Sequence, residues 1–172
     1  AILKKQSTDN HIFVSGLARS GTTILLNALY ESNEFSSLSY QDMPFVLAPN
    51  LWSKLSFSKK DNNFVDRAHG DGIKVSSGSP EAFEEVFWMT FNESDEDTKE
   101  QFKTYVQLIN KKYHKERYLS KNNQNIRRLE LISAIFPNSK ILIPYRNPIK
   151  HAYSLLSQHK IFIEDSKKDK FI

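Results

Sequence analysis

The sequence predicts an α/β fold in which strands and helices alternate around a mainly parallel central sheet. Three short apolar stretches predict the strands, and they span residues 11–15, 117–120 and 140–145. A segment with the apolar pattern of a helix follows each of them. Alternation of this kind favours parallel strands with helices packed against the sheet.

The first half of the chain contains several local signals. The strand at residues 11–15 leads into a helix over residues 22–32 that is apolar almost all round and is therefore expected to be buried. Residues 50–72 are polar and are expected to be irregular. Ser-Pro-Glu at residues 79–81 predicts a helix start, because Ser caps a helix and Pro fits its first position. A second helix is expected after Asp95, with its apolar face on Phe102, Tyr105, Val106, Ile109 and Tyr113.

The second half repeats the strand–helix order twice. The strand at residues 117–120 ends at Lys121, and a helix face follows it on Ile126, Leu129, Ile132, Ile135 and Phe136. The strand at residues 140–145 ends at Arg146, and the next helix is expected to bury Ile149, Ala152, Tyr153 and Leu156. Ligands of such sheets bind at the carboxyl ends of strands, so we expect a site near residues 16–23, Lys121 and Arg146.

Composition narrows the classes of function. The chain has 172 residues, which suits one domain across residues 1–172. It contains no cysteine, so disulfides, thiolate metal sites and a cysteine nucleophile are excluded. A net charge of +4 suits an anionic ligand, but without a long basic block it does not indicate nucleic acid. No apolar run reaches transmembrane length and no signal peptide is evident, so we expect a cytoplasmic protein.

The connection after the first strand predicts a phosphate-binding loop. Gly16 and Gly21 have four residues between them, the spacing of a loop that cradles a phosphate and opens a helix. Glycine allows close backbone approach, and the first N–H groups of a helix favour an anion. Gly21 is followed by Thr22 and Thr23, so the Lys of nucleoside-triphosphate loops is missing, and Arg19 supplies a cation instead. We therefore expect no triphosphate–Mg²⁺ arrangement. The alternative is an ordinary strand–turn–helix connection.

Two motifs resemble those of sulfotransferases. Residues 15–23, Ser-Gly-Leu-Ala-Arg-Ser-Gly-Thr-Thr, resemble the family's 5′-phosphosulfate loop, roughly (P/R)-(K/R)-S-G-T-T. Residues 145–148, Tyr-Arg-Asn-Pro, with Ser154 eight residues after Arg146, resemble the 3′-phosphate motif, R-(D/N)-P-x₅-S. The loop arginine is most similar to that of the bacterial and tyrosylprotein-type branch. The resemblance covers about residues 11–160 and implies a P-loop-type three-layer α/β/α fold.

The resemblance implies transfer of a sulfuryl group from 3′-phosphoadenosine 5′-phosphosulfate (PAPS) to a hydroxyl or amine, without a metal. The acceptor is expected to be a small molecule or glycan, with a saccharide, a lipid headgroup and a protein tyrosine all open. Arg146 and Ser154 would bind the 3′-phosphate of the donor. The 5′-phosphosulfate would be held by Gly16, Arg19, Ser20, Gly21, Thr22 and Thr23.

The resemblance also implies catalytic residues. Arg19 and Lys121 would stabilise charge on the transferring group, since Lys121 falls where related enzymes place such a lysine. In the tyrosylprotein-type branch an acidic residue beyond the loop acts as the base, and Asp42 is the nearest match, slightly later in the chain than expected. His69 is the alternative base, because cytosolic members use a histidine. Without such roles, Asp42 would cap a turn and Lys121 would be a solvated strand end.

Two rival functions stay open on the sequence. One is a P-loop kinase or nucleotidase, against which the missing Lys after Gly21 counts. The other is a degenerate P-loop module that binds a partner without catalysis. Family members continue beyond the 3′-phosphate motif into a segment that closes over the donor, so we expect this chain to lack a C-terminal part. The oligomeric state is not predicted.

Overall fold

The computed structural model describes residues 9–55, 64–66 and 73–168. The strands in this part are β1 (Ile12–Val14), β2 (Phe35–Ser36), β3 (Val65–Asp66), β4 (Lys74–Val75), β5 (Arg117–Lys121) and β6 (Lys140–Leu142). The α-helices are α1 (Thr22–Glu31), α2 (Pro49–Leu55), α3 (Glu85–Thr90), α4 (Glu96–Tyr113), α5 (Leu129–Ile135) and α6 (Pro148–Lys168). Short 3₁₀ turns lie at Tyr40–Asp42 and Asn123–Arg127.

Within the described residues, four strands form the central sheet, in the spatial order β2-β5-β1-β6, and each pairing is parallel. Val14 pairs with Lys121 on one side and with Leu142 on the other, so β1, β5 and β6 end at the same edge. β3 and β4 pair with each other in antiparallel fashion, outside this sheet. The parallel arrangement confirms the predicted fold class, and its carboxyl edge is where a ligand is expected.

The two faces of the sheet carry two separate apolar clusters. Alternate residues of a strand point to opposite faces, so Phe13 belongs to one cluster while Ile12 and Val14 belong to the other. Residues of α3, α4 and α5 complete the Phe13 cluster, and Leu26 of α1 completes the other. Helices therefore cover both faces, which produces the three predicted layers.

The helix predicted to start at Ser79 begins instead at Glu85. Pro80 forms a bridge with Ser39, and the Glu81 N–H donates to the Leu38 carbonyl at 3.1 Å, so this stretch runs as extended chain. The Ser79 hydroxyl accepts the N–H of Ser76 at 2.9 Å and closes a turn rather than capping a helix. The prediction was wrong because contacts with a distant segment outweigh the local capping signal.

Two predictions of helix burial are also wrong. In α6, Ile149 is 68% exposed and Tyr153 is 69% exposed, although both were expected on an inner face. In α1, Thr22 and Leu26 are buried, but Ile24 is 68% exposed. The sequence pattern shows which face of a helix is apolar, but whether that face is buried depends on the neighbouring elements that pack against it.

Three element boundaries differ from the prediction. Residues 50–72 are not irregular throughout, since α2 covers their start, with Pro49 in the first turn, and β3 lies within them. β6 ends at Leu142 rather than at Tyr145, because Pro144 has no N–H to donate to a ladder. Ile126 lies in a 3₁₀ turn, and the helix after β5 starts only at Leu129.

Candidate active site

A cavity of about 520 Å³ opens at the carboxyl edge of the sheet. Its lining comes from the loop after β1, from the end of β5 and the residues after it, and from α6 and the segment that leads into that helix. Seven of the residues predicted from the sequence line it, namely Arg19, Ser20, Gly21, Thr22, Thr23, Lys121 and Arg146. The structure therefore brings together the two motifs and the predicted lysine, from three separate parts of the chain.

The loop between β1 and α1 has an unusual backbone. Gly16 (φ 130°) and Gly21 (φ 105°) both adopt positive φ angles that side chains disfavour, which explains why glycine stands at each. Arg19 also has a positive φ, 68°, which is uncommon for a residue other than glycine. Gly21 precedes α1 without any side-chain cap, so the positive end of that helix dipole is left for a ligand.

The two sequence motifs contact each other directly. Arg19 Nε donates to the Ser154 hydroxyl at 3.1 Å across 135 positions of sequence. Arg146 donates from one guanidinium nitrogen to the Arg19 carbonyl at 3.3 Å. Among the described residues that line the cavity, three are cations, Arg19, Lys121 and Arg146, and none is a carboxylate. The electrostatics of the cavity thus favour an anionic ligand.

Lys121 stands at the cavity wall beside an acidic side chain. Its Nζ lies 3.4 Å from Glu81 Oε1, and the two side chains are 8% and 10% exposed. The Ala82 N–H donates to the same carboxylate at 2.8 Å, and the Tyr40 hydroxyl donates to its other oxygen at 3.2 Å. Lys121 is therefore an oriented, mostly buried ammonium group and not a solvated strand end.

Two more glutamates hold the residues that follow Lys121. Glu85 accepts the Asn122 amide at 2.6 Å and two N–H groups of Arg128 at 2.7 and 2.9 Å. Burial opposes the charge of Glu85, but the hydrogen bonds from Arg128 and Asn122 outweigh it and lower the pKa of this carboxyl. Glu84 is buried and accepts the Asn125 amide at 2.8 Å. The segment before and at the start of α3 thus fixes the end of β5.

Asp42 lies outside the lining of the cavity and is fully buried. One oxygen accepts the Ser39 N–H at 2.7 Å and the Tyr113 hydroxyl at 2.6 Å, and the other is paired with Lys112. Burial, together with the Asp42 charge, raises the pKa of Tyr113 above its ordinary range. These contacts tie the 3₁₀ turn after β2 to the end of α4. His69, the alternative base, lies outside the described residues.

Comparison with known proteins identifies the family. The model of the sulfotransferase family matches residues 11–167, which is most of the chain. This chain belongs to the sulfotransferase family. Its fold is similar to the crystal structure of sulfotransferase STF1 from Mycobacterium tuberculosis H37Rv (type1 form), with a TM-score of 0.52 and 16% sequence identity. The match covers 80% of this chain and 45% of that one, so this chain spans less than half the length of its structural neighbour. Curated protein sequences contain no match to the chain.

Two residues of this site were not predicted. Glu81 was interpreted as a helix-start residue, and its contact with Lys121 across 40 positions has no local signal. His151 Nε2 lies 2.7 Å from the Ala18 carbonyl of the loop. Its position offered a signal, because it lies three residues before Ser154 and therefore on the same helix face.

Residues 9–55, 64–66 and 73–168 contain neither a membrane-spanning helix nor a metal-binding group of side chains. No helix there combines the length and the apolar character needed to cross a membrane. No group of three or more His, Asp or Glu side chains in this part is arranged to hold a metal ion.

Proposed function

We propose that this sulfotransferase transfers a sulfuryl group from PAPS to a hydroxyl or amine of a small-molecule or glycan acceptor, without a metal ion. The observation that carries the proposal is that Arg19 and Arg146, one from each motif, line the same cavity, and that Arg19 is bonded to Ser154 of α6. A nucleotide with phosphates at both its 5′ and 3′ positions needs two anion-binding groups on one surface, and this arrangement supplies them.

The cavity fits such a donor in size and in charge. Its volume, about 520 Å³, lies in the range of about 300–1,000 Å³ that is usual for sites of this kind. Three cations and the uncapped start of α1 favour phosphate and sulfate groups. Apart from its two neighbours in the chain, no described residue lies within 4 Å of the position that a Cβ of Gly21 would occupy, so a ligand can approach the backbone closely there.

In this proposal, separate residues bind the 5′-phosphosulfate, the sulfuryl oxygens and the 3′-phosphate of the donor. When bound, PAPS supplies the sulfuryl group and a phosphate leaving group. The loop from Gly16 to Thr23, with Arg19 in it, would hold the 5′-phosphosulfate, and Lys121 would stabilise charge on the sulfuryl oxygens. Arg146, whose planar fork suits a phosphate, would bind the 3′-phosphate together with Ser154.

The acceptor hydroxyl must give up a proton, and two carboxylates are candidates to receive it. Asp42 is the candidate predicted from the sequence, but Ser39, Lys112 and Tyr113 engage both its oxygens in the interior. Glu81 does not itself line the cavity, but it contacts Lys121, which does. A base must reach the proton that it removes, and the oxygens of both carboxylates have partners. We favour Glu81 because one of its partners, Lys121, lines the cavity, whereas Ser39, Lys112 and Tyr113 do not.

The identity of the acceptor and the location in the cell are separate predictions. Acceptor pockets are built from variable loops, so neither a saccharide nor another small metabolite is preferred by the residues described. A cytoplasmic location also stays a prediction, to be tested by fractionation of cells that produce the protein.

The test is a calorimetric titration with adenosine 3′,5′-bisphosphate in the presence of EDTA. We expect the wild-type chain to bind, and Arg146→Ala to weaken binding at least about tenfold, because charge-assisted bonds to a phosphate contribute about 1.5–3 kcal/mol. Arg127→Ala is the matched control, since Arg127 is an exposed arginine that does not line the cavity. Binding of Mg²⁺–ATP in preference to the bisphosphate would support the kinase alternative. A folded protein that binds neither would support the non-catalytic alternative.

A further inference from the structure

Side chains on one face of α6 contact the phosphate loop, and so does Arg146, just before the helix. His151 Nε2 lies 2.7 Å from the Ala18 carbonyl oxygen. Arg146 donates to the next carbonyl, that of Arg19, at 3.3 Å, and the Arg19 side chain donates to Ser154 at 3.1 Å. A carbonyl oxygen only accepts, so the ring nitrogen of His151 must carry the hydrogen of this bond.

These contacts act on a strained part of the loop. Arg19 has a φ of 68°, a left-handed conformation that a residue other than glycine keeps only when its surroundings hold it. The peptide bond between Ala18 and Arg19 is planar, so its C=O and N–H point in opposite directions. A donor that fixes the Ala18 carbonyl toward α6 therefore turns the Arg19 N–H away from α6.

We propose that His151 is a positioning residue that holds the phosphate loop in the conformation that binds an anion. The inference rests on the proposed function, because it concerns the 5′-phosphate side of the same site. His151 acts through the Ala18 carbonyl and not through the ligand. Its influence should therefore fall on the group in the loop and spare the 3′-phosphate, which is assigned to Arg146 and Ser154.

Binding of two nucleotides distinguishes an effect on the 5′-phosphate from an effect on the 3′-phosphate. Adenosine 3′,5′-bisphosphate and adenosine 3′-monophosphate share the base and the 3′-phosphate, and they differ only in the 5′-phosphate. The ratio of their two affinities measures what the loop contributes. We expect His151→Phe, which keeps a ring but removes the donor, to reduce this ratio by about fivefold to tenfold, the worth of one hydrogen bond. Affinity for the 3′-monophosphate should stay within about twofold.

Two further variants make the result specific. His151→Gln retains an N–H at nearly the position of Nε2 and should restore most of the ratio, whereas a purely steric role would not distinguish Gln from Phe. His159→Phe changes an exposed histidine of the same helix and should leave both affinities unchanged. Thermal unfolding of each variant checks that the fold is intact.

Different results would overturn the inference and the proposed function. An unchanged ratio in His151→Phe, an equal loss for both nucleotides, or a loss that Gln does not reverse would each overturn the inference and leave the proposed function standing. A wild-type protein that binds neither nucleotide would overturn the proposed function, and the inference with it.

Discussion

Glu81 and Asp42 are two carboxylates whose surroundings differ, so that they make different contacts. Asp42 is fully buried and engaged by a lysine, a tyrosine and a backbone N–H of its own turn. Such a group organises the interior, since breaking a buried ion pair typically costs about 3–5 kcal/mol. Glu81 instead holds Lys121 where the cavity begins.

Paired variants of these residues test the assignment of the base. Glu81→Gln is expected to lower the rate of adenosine 3′,5′-bisphosphate release from PAPS by about 100-fold, the usual contribution of a positioned base. Its affinity for adenosine 3′,5′-bisphosphate should change less than about twofold. Glu81→Asp should recover part of the rate, because a carboxylate remains near the same place. The rate is measured with water or an added alcohol as the acceptor.

Asp42→Asn is the matched comparison. It should lower the free energy of unfolding by about 3 kcal/mol in urea, because Lys112 is left without its buried partner. The rate per folded molecule should remain near that of the wild type. If Asp42→Asn kept its stability but lost the reaction, Asp42 would be the base, as the sequence first suggested.

At the level of the elements, the residue immediately before β1 is a titratable group that links folding to pH. His11 is buried next to Phe136 and Tyr118, and its Nδ1 accepts the Tyr118 N–H at 3.1 Å. Its Nε2 has no partner within the described residues. Burial therefore lowers the pKa of His11 from 6.5 to about 4, since the charged ring would be desolvated.

The pH dependence of stability follows from this shift. In the unfolded chain His11 takes up a proton near pH 6.5, whereas in the folded chain it does so only near pH 4, so the unfolded state binds more protons between these values. Stability should thus fall as pH drops through that window, by up to about 1.4 kcal/mol per pH unit from this group. His11→Asn keeps an acceptor for the Tyr118 N–H and should remove that part of the slope. Equal slopes for both proteins in urea unfolding at pH 4.5, 5.5 and 7 would contradict the account.

The order of strands and helices could be predicted from the sequence, whereas one helix start and the burial of one helix could not. The strand–helix order was correct because apolar period and strand length are local properties, as in β1 and in α4, where Phe102, Val106 and Ile109 are buried as expected. The helix start at Ser79 was wrong because Pro80 pairs with Ser39, far away in sequence. The burial of α6 was overestimated for a related reason, since no local pattern encodes which element covers a face.

For the molecule as a whole, topology explains why the main site could be predicted. Parallel strands that end at one edge bring Lys121, Arg146 and the glycine loop to the same cavity, and each of these follows a strand that the sequence marks. The pair of Glu81 with Lys121 and the contact of His151 with Ala18 depend on tertiary packing instead. Glu81 was missed because nothing local distinguishes it from a solvated side chain, and the spacing of His151 from Ser154 indicates a shared helix face but not a contact with Ala18.

We propose that one site of this chain holds both phosphates of the donor nucleotide. The most direct measurement compares, by calorimetry in EDTA, the affinities of adenosine 3′,5′-bisphosphate and adenosine 5′-monophosphate for the wild-type chain. We expect the bisphosphate to bind at least about tenfold more tightly, and Ser154→Ala combined with Arg146→Ala to abolish the difference. Equal affinities in the wild type would mean that no 3′-phosphate site exists at α6, and would contradict the account.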